Sequence, residues 1–162
     1  MIKNEVWAIL PARGGSKGVK SKNSKSLGEI PLIAHTLKTL KNSKCFSKVI
    51  VTSDSDKILE IAKKYSVIQC KRTNPIHSND YSLPELSVIE FLKNIQVINW
   101  PKFIFMVSCT SPFIKKTTYI KALDILKKNP TGTVFAAHDS HFFLWKKNNK
   151  EKNKKNFVPI SH

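Results

Sequence analysis

The sequence predicts an α/β domain built on a mostly parallel central sheet, and three observations carry that expectation. Short apolar, β-branched runs alternate along the chain with segments whose apolar residues recur at helical spacing. The first run, residues 6–10 (Val-Trp-Ala-Ile-Leu), is apolar at every position, as a strand covered on both faces must be. It ends in a glycine-rich, cationic turn, and open α/β sheets bind ligands where strands pass into such turns. With 162 residues, the chain is long enough for one domain with a sizeable core.

Each element follows from its own residues. Residues 12–30 read as a long loop. Pro31 suits the first turn of a helix, and Leu32, Ile33, Leu37 and Leu40 continue it as one apolar stripe to about residue 44. Residues 48–53 (Lys-Val-Ile-Val-Thr-Ser) are strand-like. Ser53, Asp54 and Ser55 are good helix N-caps, which accounts for Asp54, with support of a ligand-contacting residue or a ribose contact as its other readings. Ile58, Ile61, Ala62 and Tyr65 mark the next helix, and residues 67–70 a third, shorter strand. Strand, helix and strand repeated in this way predict right-handed crossovers with helices on the faces of the sheet.

Residues 71–82 are polar and irregular. Pro84 opens a helix whose buried stripe is expected to be Leu86, Ile89 and Leu92, with Val88 flanking. Residues 103–107 are the most hydrophobic run and read as a central strand. A helix is expected over 117–128 with Ile120, Leu123 and Leu126 inward, then a strand over 132–137 and an extended stretch over 142–146. Residues 146–156 hold six lysines, four asparagines and one glutamate, and read as a solvated loop or disordered segment. The expected division is therefore a domain over 1–145, followed by a Lys/Asn-rich loop and C-terminal segment over 146–162.

Bulk composition narrows the function classes. An apolar content of 41% fits a globular protein. The formal charge of +17 admits a nucleic-acid partner, an anionic small substrate, or a lysine-rich bias. Lysine far outnumbers arginine and is scattered through every segment. A nucleic-acid surface concentrates its cations among aromatics, so such a partner is not expected. Cys45, Cys70 and Cys109 form no metal or redox spacing and read as reduced thiols of a cytoplasmic protein. No signal peptide or membrane span is visible. The five histidines show no ligand spacing, so no metal is assigned to them.

The chemistry concentrates in Ile9-Leu10-Pro11-Ala12-Arg13-Gly14-Gly15-Ser16-Lys17-Gly18, with Lys20, Lys22 and Asn23 behind it. Glycines let backbone N–H groups approach an anion closely, and Arg and Lys supply charge-assisted hydrogen bonds to phosphate oxygens. The run is not a Walker A loop, because Val19 stands where that pattern needs its second glycine, nor is it a G-x-G-x-x-G turn. Its position after a buried strand predicts a triphosphate cradle of Arg13, Lys17, Lys22 and Asn23.

Residues 10–18 followed by Lys22-Asn23 resemble the signature of the N-acylneuraminate (sialic acid) cytidylyltransferases. Ser43 to Asp54, Thr110-Ser111-Pro112-Phe113, and Thr133 to Ala137 with Phe143 to Lys146 resemble that family's later stretches, in order. The resemblance implies a three-layer, Rossmann-like nucleotidyltransferase fold. It implies an enzyme that joins CTP to a nonulosonic, nine-carbon sugar acid, giving the CMP-sugar and pyrophosphate. Arg13 and Lys22 then act on the triphosphate as the catalytic pair. Ala12, Gly14, Gly15, Ser16, Asn23 and Arg72 complete the nucleotide site, with the backbone at Ala12 and Gly14 lying against the cytosine.

Asp80 and Ser82 fall where the family reads D-T-A-S-S, with the aspartate in register and the serine out of it. Ser108, Thr110 and Ser111 are expected on the sugar side. Ser108 replaces the family's glutamine and Cys109 its next proline, so a different sugar acid is compatible. The expected cofactor is Mg²⁺, with ligands beyond residue 162, and the resemblance admits a homodimer. The chain is thus expected to be the nucleotide-binding portion of a longer enzyme, with weak or no transferase activity alone. Two alternatives stay open: a non-catalytic CTP-binding fragment, and a cytidylyltransferase for a 3-deoxy-octulosonate.

Overall fold

β1 (Val6–Pro11) is buried on both faces and forms the axis of the molecule. The computed structural model describes residues 6–16, 18–74, 83–137, 145–147 and 157–159. After β1 come the two-residue strands β2 (Ser26–Leu27) and β3 (Ile30–Pro31), which pair antiparallel within the long loop. Then follow α1 (Leu32–Ser43), β4 (Lys48–Ser53), α2 (Asp56–Lys64) and β5 (Ile68–Lys71). The chain continues through α3 (Pro84–Lys93), β6 (Phe103–Met106) and α4 (Lys116–Lys128). The last two strands, β7 (Trp145–Lys147) and β8 (Phe157–Pro159), pair antiparallel with each other.

The central sheet is parallel throughout, in the order β5-β4-β1-β6. Ile9 of β1 stands opposite Ile50 on one side and Met106 on the other. Because strand side chains alternate, β1 feeds two cores. Ala8 and Leu10 pack with Ile33 and Leu37 of α1, Ile58 of α2 and Tyr119 of α4. Trp7 and Ile9 face the other way, onto Val88 and Leu92 of α3. This makes the three layers: α1, α2 and α4 on one side, α3 on the other. Burial of each large apolar side chain in these cores stabilises the fold by about 1.5–3 kcal/mol.

The sheet corrects several expectations. In α3 the buried face is Ser87, Val88 and Leu92, while Ile89 is exposed. The segment is apolar around much of its girth, and the contact of Phe91 with Trp7 (ring centroids 6.3 Å apart) selects the face turned inward. In α4 the inward residues are Tyr119, Leu123 and Leu126, and Ile120 is exposed. Phe46 meets Tyr119 edge-on at 5.7 Å and sets that rotation.

Residues 133–137, expected as a strand, form no ladder with the described residues. Instead, Val134 leans on the cluster of Phe103, Leu123 and Leu126, and Phe135 is exposed. A cleft of about 820 Å³ lies between this stretch, β6 and α4. Lys146 and Lys147, expected in a solvated loop, belong to β7. Main-chain pairing does not depend on side-chain polarity, and the aromatic and β-branched Trp145, Phe157 and Val158 favour a strand.

Candidate nucleotide site

The chain steps outward from β1 to β4 and β5, then returns to place β6 on the other side of β1. The carboxyl ends of β1 and its neighbours therefore flank a reversal of strand order, the position at which such sheets hold ligands. Residues 12–16 leave β1 at this edge, Asp54 leaves β4, Arg72 leaves β5 and Ser108 follows β6. The main-chain ladder runs past the strands themselves: Ala12 N–H donates to Thr52 O (2.9 Å), Arg72 N–H to Ser53 O (2.8 Å) and Val107 N–H to Ile9 O (2.9 Å).

The turn after β1 is held from two sides. Asn23, buried in a short 3₁₀ turn (Lys22–Ser24), donates from Nδ2 to the Arg13 carbonyl at 3.0 Å. The Gly14 N–H donates to Asp54 Oδ1 at 2.7 Å. Gly14 also passes so close to α2 that a Cβ there would lie 2.8 Å from the Ser55 Cβ, nearer than such atoms come. Its glycine is thus required by space. The Gly14 N–H is held by a carboxylate of the chain itself.

The reading of Asp54 as a helix cap is corrected. Ser55 occupies the N-cap position of α2 without a side-chain cap bond, and its N–H donates to Ser53 Oγ at 3.0 Å. In the sequence, a helix beginning two residues later already accounts for Asp54, and its bond to Gly14 shows only in the fold. The His35 Nε2 bond to the Leu27 carbonyl (2.8 Å) fixes the β2–β3 hairpin on α1. The loop after β1 is thereby tied at Arg13, Gly14 and Leu27.

Arg72 is only 7% exposed. Its Nη2 donates to the Thr52 carbonyl (2.9 Å) and its Nε to Thr52 Oγ1 (3.2 Å). Burial lowers this guanidinium from its usual value, Asp54 and Glu90 oppose that shift, and the charge of Arg13 adds to it. Arg13, Asp54 and Arg72 therefore share one electrostatic neighbourhood. Cys109, beyond β6, joins it: burial pushes its thiol up to about 12, while the charges of Arg72 and Lys22 pull the other way.

On either side of Cys109, Ser108 Oγ and Thr110 Oγ1 lie 2.7 Å apart, both residues exposed, with the Thr110 N–H donating to Ser108 Oγ (3.3 Å). Ser111 is exposed beside them. Ala12 is fully buried, and its N–H is held by the Thr52 carbonyl. Gly15 is exposed and Ser16 half-buried. Lys17, Asp80 and Ser82 lie outside the described residues.

Among the described residues no group of three or more His, Cys, Asp or Glu is placed to hold an ion, so these residues do not fit a divalent-metal site. The Asp54 Oδ1 accepts from the Gly14 N–H.

Comparison with known proteins agrees with this geometry. A family model described as Cytidylyltransferase matches residues 7–155. The N-acylneuraminate cytidylyltransferase of Oncorhynchus mykiss is 33% identical over 143 residues, covering 88% of this chain. The CMP-N,N'-diacetyllegionaminic acid synthase of Legionella pneumophila is 32% identical over 124 residues, covering 75% of it. The chain spans 32% of the length of the first relative and 53% of the second. A solved cytidylyltransferase from Leptospira borgpetersenii is 25% identical with a TM-score of 0.60, over 77% of this chain and 50% of that one. The family match spans residues 7–155, from β1 past α4, and the chain belongs to the cytidylyltransferase family.

Proposed function

We propose that this chain forms the CTP-binding part of an enzyme that transfers CMP to a nonulosonic acid. The observation that carries the reading is the braced Arg13-Gly14 turn at the carboxyl end of the central strand, within a cytidylyltransferase chain. A hydroxyl of the sugar acid attacks the α-phosphorus of CTP. A new oxygen–phosphorus bond forms, the bond to the β-phosphate oxygen breaks, pyrophosphate leaves with the electron pair, and the hydroxyl proton passes to solvent.

Such a step needs alignment and charge neutralisation more than covalent help. Arg13 and Lys22 neutralise the triphosphate and the departing pyrophosphate. Gly15 and Ser16 line the phosphates, and the cytosine lies against the turn at Ala12 and Gly14, whose N–H groups are already held by Thr52 and Asp54. Arg72 supplies positive potential from beneath. The hydroxyls of Ser108, Thr110 and Ser111 face the sugar acid across the reversal point. Asp80 and Ser82 belong to the nucleotide side of the same reading.

Mg²⁺ is the cofactor of this proposal, with ligands other than the described residues, and no step above is routed through it. Among the described residues no helix is long and apolar enough to cross a membrane. Cys45, Cys70 and Cys109 are free thiols, in keeping with work in the cytoplasm. A homodimer is part of the same proposal.

The test is thermal unfolding with Mg²⁺ and each of CTP, ATP, GTP and UTP. At about 100 times its dissociation constant a ligand adds roughly 2.7 kcal/mol of stability. A rise with CTP well above the other three is expected, and Arg13→Ala or Lys22→Ala should weaken CTP about tenfold or more. Equal rises with all four nucleotides would show a phosphate cradle without base reading.

A further inference from the structure

We propose that Asp54 is the positioning residue of the nucleotide loop: its carboxylate accepts the Gly14 N–H and thereby sets the direction in which Arg13 leaves the sheet. The inference rests on reading this loop as the CTP site. Three consecutive residues of the turn are tied, two by residues 52–54 at the end of β4 and one by the 3₁₀ turn. Ala12 N–H is held by the Thr52 carbonyl at 2.9 Å, the Arg13 carbonyl by Asn23 at 3.0 Å, and the Gly14 N–H by Asp54 at 2.7 Å.

The Asp54 tie crosses 40 positions of sequence and is anchored firmly, because Thr52 and Ser53, just before it, are fully buried. Ser55, just after it, closes the space beside Gly14. The loop is thus clamped between the hydrogen bond of one residue and the Cβ of the next.

Charge argues the same way. A carboxylate repels a triphosphate, so its presence beside the cradle needs a gain that its hydrogen bond supplies. Arg13 and Arg72 share its neighbourhood and offset the negative charge. An asparagine keeps the acceptor and drops the charge; an alanine drops both.

The experiment measures CTP affinity by calorimetry, beside the unfolding midpoint, for wild type, Asp54→Asn and Asp54→Ala. Asp54→Asn should stay within about threefold of wild type, and Asp54→Ala should lose about tenfold or more. Asp54→Ala binding like wild type, or Asp54→Asn binding as poorly as Asp54→Ala, overturns the inference. Should Asp54→Ala fail to fold, Gly14→Ala decides from the other side of the clamp. It should weaken CTP, and adding Ser55→Gly should restore binding; unchanged affinity in Gly14→Ala overturns the inference. No CTP binding by wild type, with the fold intact, overturns the site reading and this inference with it.

Discussion

Gly14 and Cys109 show how a single position can answer to its surroundings rather than to its own backbone. Gly14 needs the absence of a side chain because Ser55 is already there. Gly14→Ala should cost about 1–3 kcal/mol, the usual cost of overpacking, and a thermal melt measures it. Cys109 is a thiol raised from 9.0 to about 12 by burial. The folded state holds this proton more tightly than the unfolded one. Its contribution is therefore fully present below pH about 9 and is lost as pH rises toward 12. Tyr119, also raised to about 12 by burial, acts in the same direction. The unfolding midpoint should fall across that window, and less steeply in Cys109→Ala. Parallel falls in the two proteins would show that the thiol carries none of the effect.

At the scale of elements, rotation about the helix axis decides which apolar residues matter. α3 and α4 each carry more apolar residues than one face can bury, and the aromatic contacts of Trp7 and Phe46 choose among them. Leu92→Ala and Leu123→Ala should each cost about 2–5 kcal/mol. Ile89→Ala and Ile120→Ala, at exposed positions, should stay within about 0.5 kcal/mol. Denaturant unfolding of the four variants tests both rotations, and a large loss at Ile89 would restore the stripe that periodicity suggested.

Across the whole molecule the dominant quantity is charge. Twenty-eight basic residues face eleven acidic ones, giving +17. Among the described side chains, the one close lysine–carboxylate pair, Lys71 with Asp56 at 2.6 Å, is exposed and contributes little. Self-repulsion of this size opposes the compact state. Raising ionic strength from about 0.01 to about 0.15 M shortens the screening length from about 30 to about 8 Å, and should raise the unfolding midpoint. A midpoint that falls with salt would mean that attractive pairs outweigh the repulsion.

The fold class was legible in the sequence because its causes are local. Short apolar, β-branched runs bounded by turn residues suit strands, and helical stripes stand between them. Arg13 and Asn23 fall in the loop after the first strand, and the structure brings Arg72 into the same neighbourhood. The partner of the Gly14 N–H, the buried seat of Arg72 on Thr52, the rotation of α3 and α4, and the unpaired course of residues 133–137 were decided only by the tertiary structure. Each of these is a contact between residues far apart in the chain. A residue's own neighbours state what it is able to do, and only packing states which partner it meets.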